Sequence, residues 1–182
     1  QNSKNKFFSE ASSTLNFLSN MGVIHRDIKP ENIVCFHTPY IHNDNIKEEN
    51  HYFKLIDFGL ATRFANLPEI EKNEKKLTHM CGSPGFFAPE MISSLGYNNK
   101  VDIWSLGAVF LEILITPETF SKLWMPNYHP SQINKYHVLT SNIKKTLDKV
   151  LHTLKQNKNI DNEHIIITEN ALKIDINERK LI

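Results

Sequence analysis

The chain has 182 residues, 40% of them hydrophobic and 23% charged, which suits one globular domain with its own core and leaves too little for two ordinary ones. A formal net charge of +1 supplies no field to draw nucleic acid or an anionic membrane as a main partner. The two cysteines, Cys35 and Cys81, lie far apart, which argues against a disulfide framework and for a reducing compartment.

The opening stretch is polar, begins with Gln1 and shows no signal peptide. Phe7, Ala11, Leu15 and Leu18 fall at i, i+4, i+8 and i+11, so the spacing predicts an amphipathic helix over 5–22, with Gly22 placed for a left-handed cap. Val23 and Ile24 then lead into a polar cluster, 25–32. Ile33 to Phe36 and Tyr52 to Ile56 read as two short strands of a hairpin spanning 33–56. Between them, 37–51 is polar, Asn-rich and long for a hairpin connection, so it reads as an insert. Its histidines, His37, His42 and His51, come without Cys-x-x-Cys or His-Glu-x-x-His, and solvated loop histidines are the simpler reading than a zinc site.

Asp57-Phe58-Gly59 opens an irregular stretch to Glu90 that contains a charge-dense, solvated run at 69–76. From Val101 to Ile115 the apolar residues face every side, as in a helix at the centre of a core, and Pro117 ends it. Asp102, Ser105 and Glu112 interrupt that run, which falls short of the roughly 20 apolar residues of a bilayer span. Cytoplasmic or nuclear residence is expected. The region 141–182 is helical in character: Ile143, Leu147, Val150, Leu151 and Leu154 share a face, and Ala171, Leu172 and Ile174 begin a last short helix. No repeat or linker divides the chain.

The polar cluster has a chemical logic. Phosphoryl transfer to a hydroxyl needs a carboxylate within hydrogen-bond reach of that hydroxyl, and Asp27 is the candidate. The charge of the transferred phosphate suits a cation two residues on, Lys29. A bridging metal prefers oxygen ligands, which Asn32 and Asp57 supply if the strands between them form a hairpin. Each residue alone is unremarkable, since a lone loop Asp is usually a turn or cap residue. The order His-Arg-Asp-x-x-x-x-Asn, strand pair, Asp-Phe-Gly, Ala88-Pro89-Glu90 is another matter.

On those motifs the chain resembles the C-terminal lobe of a eukaryotic-type serine/threonine protein kinase, over nearly its whole length to Arg179. The resemblance implies a mainly α fold: a helical bundle around a buried central helix with a short β-hairpin, and the N-terminal β lobe absent from this chain. It makes 1–182 a partial kinase domain, with the catalytic loop at 25–32, the activation segment at 57–90, the central helix at 101–115 and C-terminal helices at 141–182. It implies ATP and Mg2+ as cofactors, and a protein substrate with a serine or threonine acceptor. Asp27 resembles the catalytic base, Lys29 the phosphate-contacting lysine, and Asn32 and Asp57 the magnesium ligands. His25 and Arg26 resemble supporting residues, the Arg pairing with a phosphorylated activation segment. Cys81 to Gly85 resembles the peptide-docking stretch, with Ser83 where Thr is commoner. Asp102 resembles the anchor of the catalytic-loop backbone, and Glu90 and Arg179 the family's buried ion pair. Thr78 lies one residue out of register from the usual phosphosite, where His79 stands.

The family's glycine-rich loop, strand lysine and helix glutamate are not among these residues: the only glycines are Gly22, Gly59, Gly82, Gly85, Gly96 and Gly107. A piece of a larger kinase, inactive on its own, is therefore expected, with a regulatory partner left open. The segment Cys81 to Phe87 leans towards calcium/calmodulin-dependent-like relatives. The alternative is a non-catalytic kinase-like module that binds or regulates partners. Against it stands the complete set Asp27, Lys29, Asn32 and Asp57.

Overall fold

A computed structural model describes residues 2–42, 45–63, 77–93, 96–133 and 135–181, with backbone alone at 2, 37–42 and 45–50. The charged run at 69–76 lies outside the described residues, as do the side chains of His37 and His42.

Helix α1 (Asn2–Asn20) buries Phe7, Phe8, Leu15 and Leu18. It closes on Gly22, whose φ of 65° is the left-handed stop that a side chain would strain. Strand β1 (Val23–Ile24) pairs antiparallel with β4 (Thr62–Arg63), tying the segment after α1 to the segment after Asp57.

Strands β2 (Ile33–His42) and β3 (Asn45–Leu55) form one long antiparallel ribbon, in register from Ile33↔Leu55 to His42↔Asn45 with an irregularity between Tyr40 and Ile41. Within the insert expected at 37–51, residues 37–42 and 45–51 are therefore strand, and the hairpin is not short. A two-stranded ribbon pairs its inward backbone groups through the ladder, leaves the outward ones to solvent or to neighbours, and needs no buried face. Polar sequence consequently carries no alternation by which to recognise it. The base of the ribbon is fixed to α1. Glu10 accepts the outward N–H of Phe53 at 3.0 Å, and the Phe7 ring meets the Phe53 ring edge-on with centroids 4.7 Å apart.

Helix α2 (Lys100–Ile115) is buried from Val101 to Leu111 with Ile103 the one half-exposed exception. Two apolar clusters explain why it is hydrophobic all round. One contains Phe7, Phe8, Leu15, Leu18 and Ile28 with Leu106, Val109 and Phe110 of α2. The other sets Trp104, Ala108 and Leu111 against Phe87, Trp124 and the long helix α5 (Tyr136–Gln156). Each large side chain buried there contributes about 1.5–3 kcal/mol. The polar tips of the aromatics are satisfied: Trp104 donates to the Tyr128 hydroxyl at 3.2 Å, Tyr128 to Phe87 O at 3.2 Å, and Trp124 to Gly85 O at 2.7 Å.

Pro117 ends α2 by occupying the first turn of α3 (Pro117–Leu123), and α4 (Pro130–Ile133) precedes α5. Helix α6 (Asn162–Ala171) is capped by Asp161, which accepts Glu163 N–H at 3.0 Å. Ala171 thus ends a helix, with Leu172 and Ile174 just beyond it, where the sequence suggests they begin one. Buried His164 and Thr168 interrupt the apolar period of α6 and hide it. The helix lies so close to α2 that a Cβ on Gly107 would stand 2.7 Å from Ala171 Cβ. The segment after it carries Arg179, buried, forking onto both oxygens of Glu90 (Nη2 to Oε2 3.1 Å), with its guanidinium 4.9 Å over the Trp104 ring. Among the described residues no single helix is long and apolar enough to cross a membrane; α2 and α3 pass such a test only as a pair bent by 115°.

Candidate active site

The site begins with a carboxylate in the first turn of α2. Asp102, 4% exposed, accepts His25 N–H at 2.7 Å through Oδ2 and Arg26 N–H at 2.8 Å through Oδ1. Two backbone amides are thereby clamped to the core, one of them at Arg26, whose φ of 69° is a left-handed conformation costing a non-glycine residue about 1–2 kcal/mol. Burial pushes the Asp102 carboxyl up to about 6, against the two amides, which favour its ionised form.

The folded value lies above the ordinary 3.8, so the contribution of Asp102 to stability is complete below pH 4 and is lost as pH rises to about 6. Urea unfolding from pH 4 to pH 7 should show the native chain losing up to about 3 kcal/mol relative to Asp102→Asn, a variant with no titration at that position.

His25 is buried and held at both nitrogens: Nε2 lies 3.0 Å from Ile56 O, and Nδ1 accepts Asp27 N–H at 3.3 Å. That pairing fixes the neutral tautomer with the proton on Nε2. Burial lowers its pKa, in agreement, although Ile56 O and the charges of Asp27 and Asp57 oppose the shift. The Phe58 ring meets the imidazole edge-on at 4.7 Å. The neutral ring therefore acts as a spacer between the loop and the end of β3.

Asp27 is 9% exposed and carries three partners. Ser83 donates its hydroxyl to Oδ1 at 2.8 Å, while Lys29 Nζ at 3.1 Å and Asn32 Nδ2 at 3.2 Å meet Oδ2. Lys29 also donates to the Ser83 hydroxyl at 2.9 Å, so Asp27, Lys29 and Ser83 close a triangle. Burial alone would raise the Asp27 pKa. Donation from Ser83, Lys29 and Asn32 outweighs it and holds the carboxyl below its ordinary value, so Asp27 is ionised at neutral pH.

Asn32 spends its amide nitrogen on Asp27, at 2.8 Å to the backbone oxygen and 3.2 Å to the side chain, which leaves the amide oxygen as its ligating end. Ile56 N–H donates to Asn32 O at 2.9 Å, one step below the Ile33↔Leu55 pair, so the ribbon delivers Asp57 beside Asn32. Asp57 is exposed, has φ 60° and accepts Gly59 N–H at 3.2 Å. Its link to the other three expected residues is through backbone, whereas Asp27, Lys29 and Asn32 meet side chain to side chain. The pair Asn32 and Asp57 offers hard oxygen donors of the kind that suit Mg2+. Among the described residues no three His, Cys, Asp or Glu side chains gather as a metal centre.

Ser83 belongs to this centre although the sequence placed it with peptide docking. Its flanks carry the signal. Gly82 has φ 94°, and a Cβ there would stand 2.6 Å from Arg26 O, so the Ser83 segment is seated directly on the loop. Arg26 turns to neutral partners, Leu60 O at 2.7 Å and the Tyr97 hydroxyl at 3.5 Å, and Tyr97 in turn donates to His79 O at 2.6 Å. Thr78 is exposed.

The profile of the protein kinase domain family matches residues 1–181. R517/R518 of Acanthamoeba polyphaga mimivirus, which bears a serine/threonine-protein kinase name, is 31% identical over 76% of this chain and 28% of its own length. CBL-interacting protein kinase 15 of Oryza sativa subsp. japonica is 34% identical over 60% of this chain and 22% of its own. Serine/threonine-protein kinase ATG1 of Pichia angusta is 35% identical over 63% and 14%. The chain thus spans less than a third of each of these relatives.

Proposed function

The chain belongs to the protein kinase family, and on that premise we propose that the protein transfers the γ-phosphoryl group of ATP to a serine or threonine hydroxyl of a protein substrate, with ATP and Mg2+ as cofactors. One observation carries the reading: an ionised Asp27 already accepts a hydroxyl, that of Ser83, at 2.8 Å on Oδ1 beside the Lys29 ammonium. An acceptor hydroxyl presented to the same carboxylate is oriented by it and yields its proton to it. The new O–P bond forms as the β–γ bridging P–O bond breaks and ADP departs. Lys29, now shared between Asp27 and Ser83, supplies the cation for the transferred phosphate. Asn32 and Asp57 would hold Mg2+, which when bound would supply positive charge against the phosphate oxygens.

We place the protein in the cytoplasm or nucleus, with a regulatory partner. No Gly-x-Gly-x-x-Gly occurs in the sequence, and the chain spans less than a third of each relative named above, so the reading concerns the complete protein.

The test is the complete reading frame with Mg-ATP and matched Ser, Thr and Tyr peptides. Phosphate should appear on Ser and Thr and not on Tyr. Absence of transfer from the complete protein to every peptide would favour the non-catalytic module instead.

A further inference from the structure

The Ser83 hydroxyl donates to Asp27 Oδ1 at 2.8 Å and accepts from Lys29 Nζ at 2.9 Å. It is bonded at once to the group that takes an acceptor's proton and to the cation that receives the transferred phosphate. Backbone contacts keep it there. Phe86 N–H and Phe87 N–H both donate to Ser83 O at 3.1 Å. On the other side Gly82, at φ 94°, sits so close to the loop that a Cβ would stand 2.6 Å from Arg26 O. Ser83 is half-buried and Pro84 beside it is exposed, so this segment borders solvent.

Resting on the kinase reading above, we propose that Ser83 is itself a phosphate acceptor, modified within its own chain, and that its phosphorylation shuts the site. The Ser83 oxygen attacks the γ-phosphorus of ATP, and its proton passes to Asp27 and then to solvent. The β–γ bridging P–O bond breaks, and ADP departs. The product sets a phosphate of charge about −1.5 to −2 beside the Asp27 carboxylate. Lys29, 3.1 Å from Asp27 and shared with a neutral hydroxyl, turns to the phosphate as the stronger partner. Asp27 is left with its cation drawn away and a like charge adjoining it, so it no longer orients an incoming hydroxyl. Transfer to a substrate and transfer to Ser83 are then competing fates of one carboxylate. Substrate protects the enzyme, whereas ATP alone closes it.

The test is the complete protein, stripped of phosphate by a protein phosphatase, then incubated with Mg-ATP with and without a serine peptide. Tandem mass spectrometry should place phosphate on Ser83 and not on Thr78, more slowly when peptide is present. The initial rate per chain should be independent of protein concentration, and a tagged Asp27→Asn chain mixed with native protein should stay unmodified. Peptide transfer should fall as Ser83 fills, by about 10²-fold or more, the scale of a lost general base, and phosphatase should restore it. Ser83→Thr keeps the hydroxyl and should decay likewise, while Ser83→Ala, whatever its initial rate, should give a progress curve without decay. Phosphate on the tagged chain would overturn the intramolecular step. Steady peptide transfer with Ser83 unmodified, or with Ser83 fully phosphorylated, would overturn the proposal and leave the kinase reading standing. No phosphate on peptide or on Ser83 would overturn both.

Discussion

Replacing Asp27 with Asn should lower the phosphoryl-transfer rate of the complete protein by about 10²–10⁴-fold while leaving its thermal unfolding nearly unchanged. Asn keeps the shape and one acceptor oxygen, so Ser83 can still donate to it at the position now 2.8 Å from Oδ1. What disappears is the anion. Lys29, 3.1 Å from the carboxylate, loses its counter-charge, and an acceptor hydroxyl loses the group that takes its proton. Because Asp27 is held below its ordinary pKa by Ser83, Lys29 and Asn32 despite its burial, it is a weak base that orients first and accepts the proton late. The loss should therefore fall on kcat, with KM for ATP little altered. Steady-state kinetics on the two proteins decides it, and an Asp27→Asn enzyme of near-native kcat would remove this residue from the chemistry.

The second large effect is on stability. Arg179→Met should cost about 3–5 kcal/mol, because it strands the Glu90 carboxylate in a core that gives it no other ion-pair partner among the described residues. The guanidinium also donates to Lys173 O and Lys100 O, each at 3.0 Å, so one side chain joins the segment before α2, the start of α2 and the segment after α6. Glu90→Leu combined with Arg179→Met removes both charges and should recover most of the loss. Denaturant unfolding of the two variants separates the cost of a stranded charge from the value of the pair. Equal losses in both would mean that the backbone contacts of Arg179 dominate.

How much of this was legible in the sequence depends on where each residue gets its partners. Helices α1 and α2 could be read because their apolar residues report burial directly: one stripe through Phe7 and Leu15, and an all-round pattern from Val101 to Leu111. The ribbon could not, since 37–51 is stabilised by backbone pairing that leaves no mark on polarity. Helix α6 was misplaced because buried His164 and Thr168 look like surface residues in a sequence. The motif order suggested which residues belong near 25–32 but not what touches Asp27. The Ser83 contact spans 56 residues and depends on the left-handed turn at Gly82, neither of which spacing along the chain can convey.

The carboxylate of Asp102 holds the amides of His25 and Arg26 from 77 and 76 residues downstream. In genetic terms, the short polar cluster is not a transferable cassette. A rearranged or truncated gene that kept 25–32 and lost α2 would still encode Asp27, Lys29 and Asn32, yet would lose the carboxylate that clamps two of the loop's amides. Inactivating substitutions should accordingly fall into two classes: those at Asp27, which spare the scaffold, and those at Asp102, which release the loop from it.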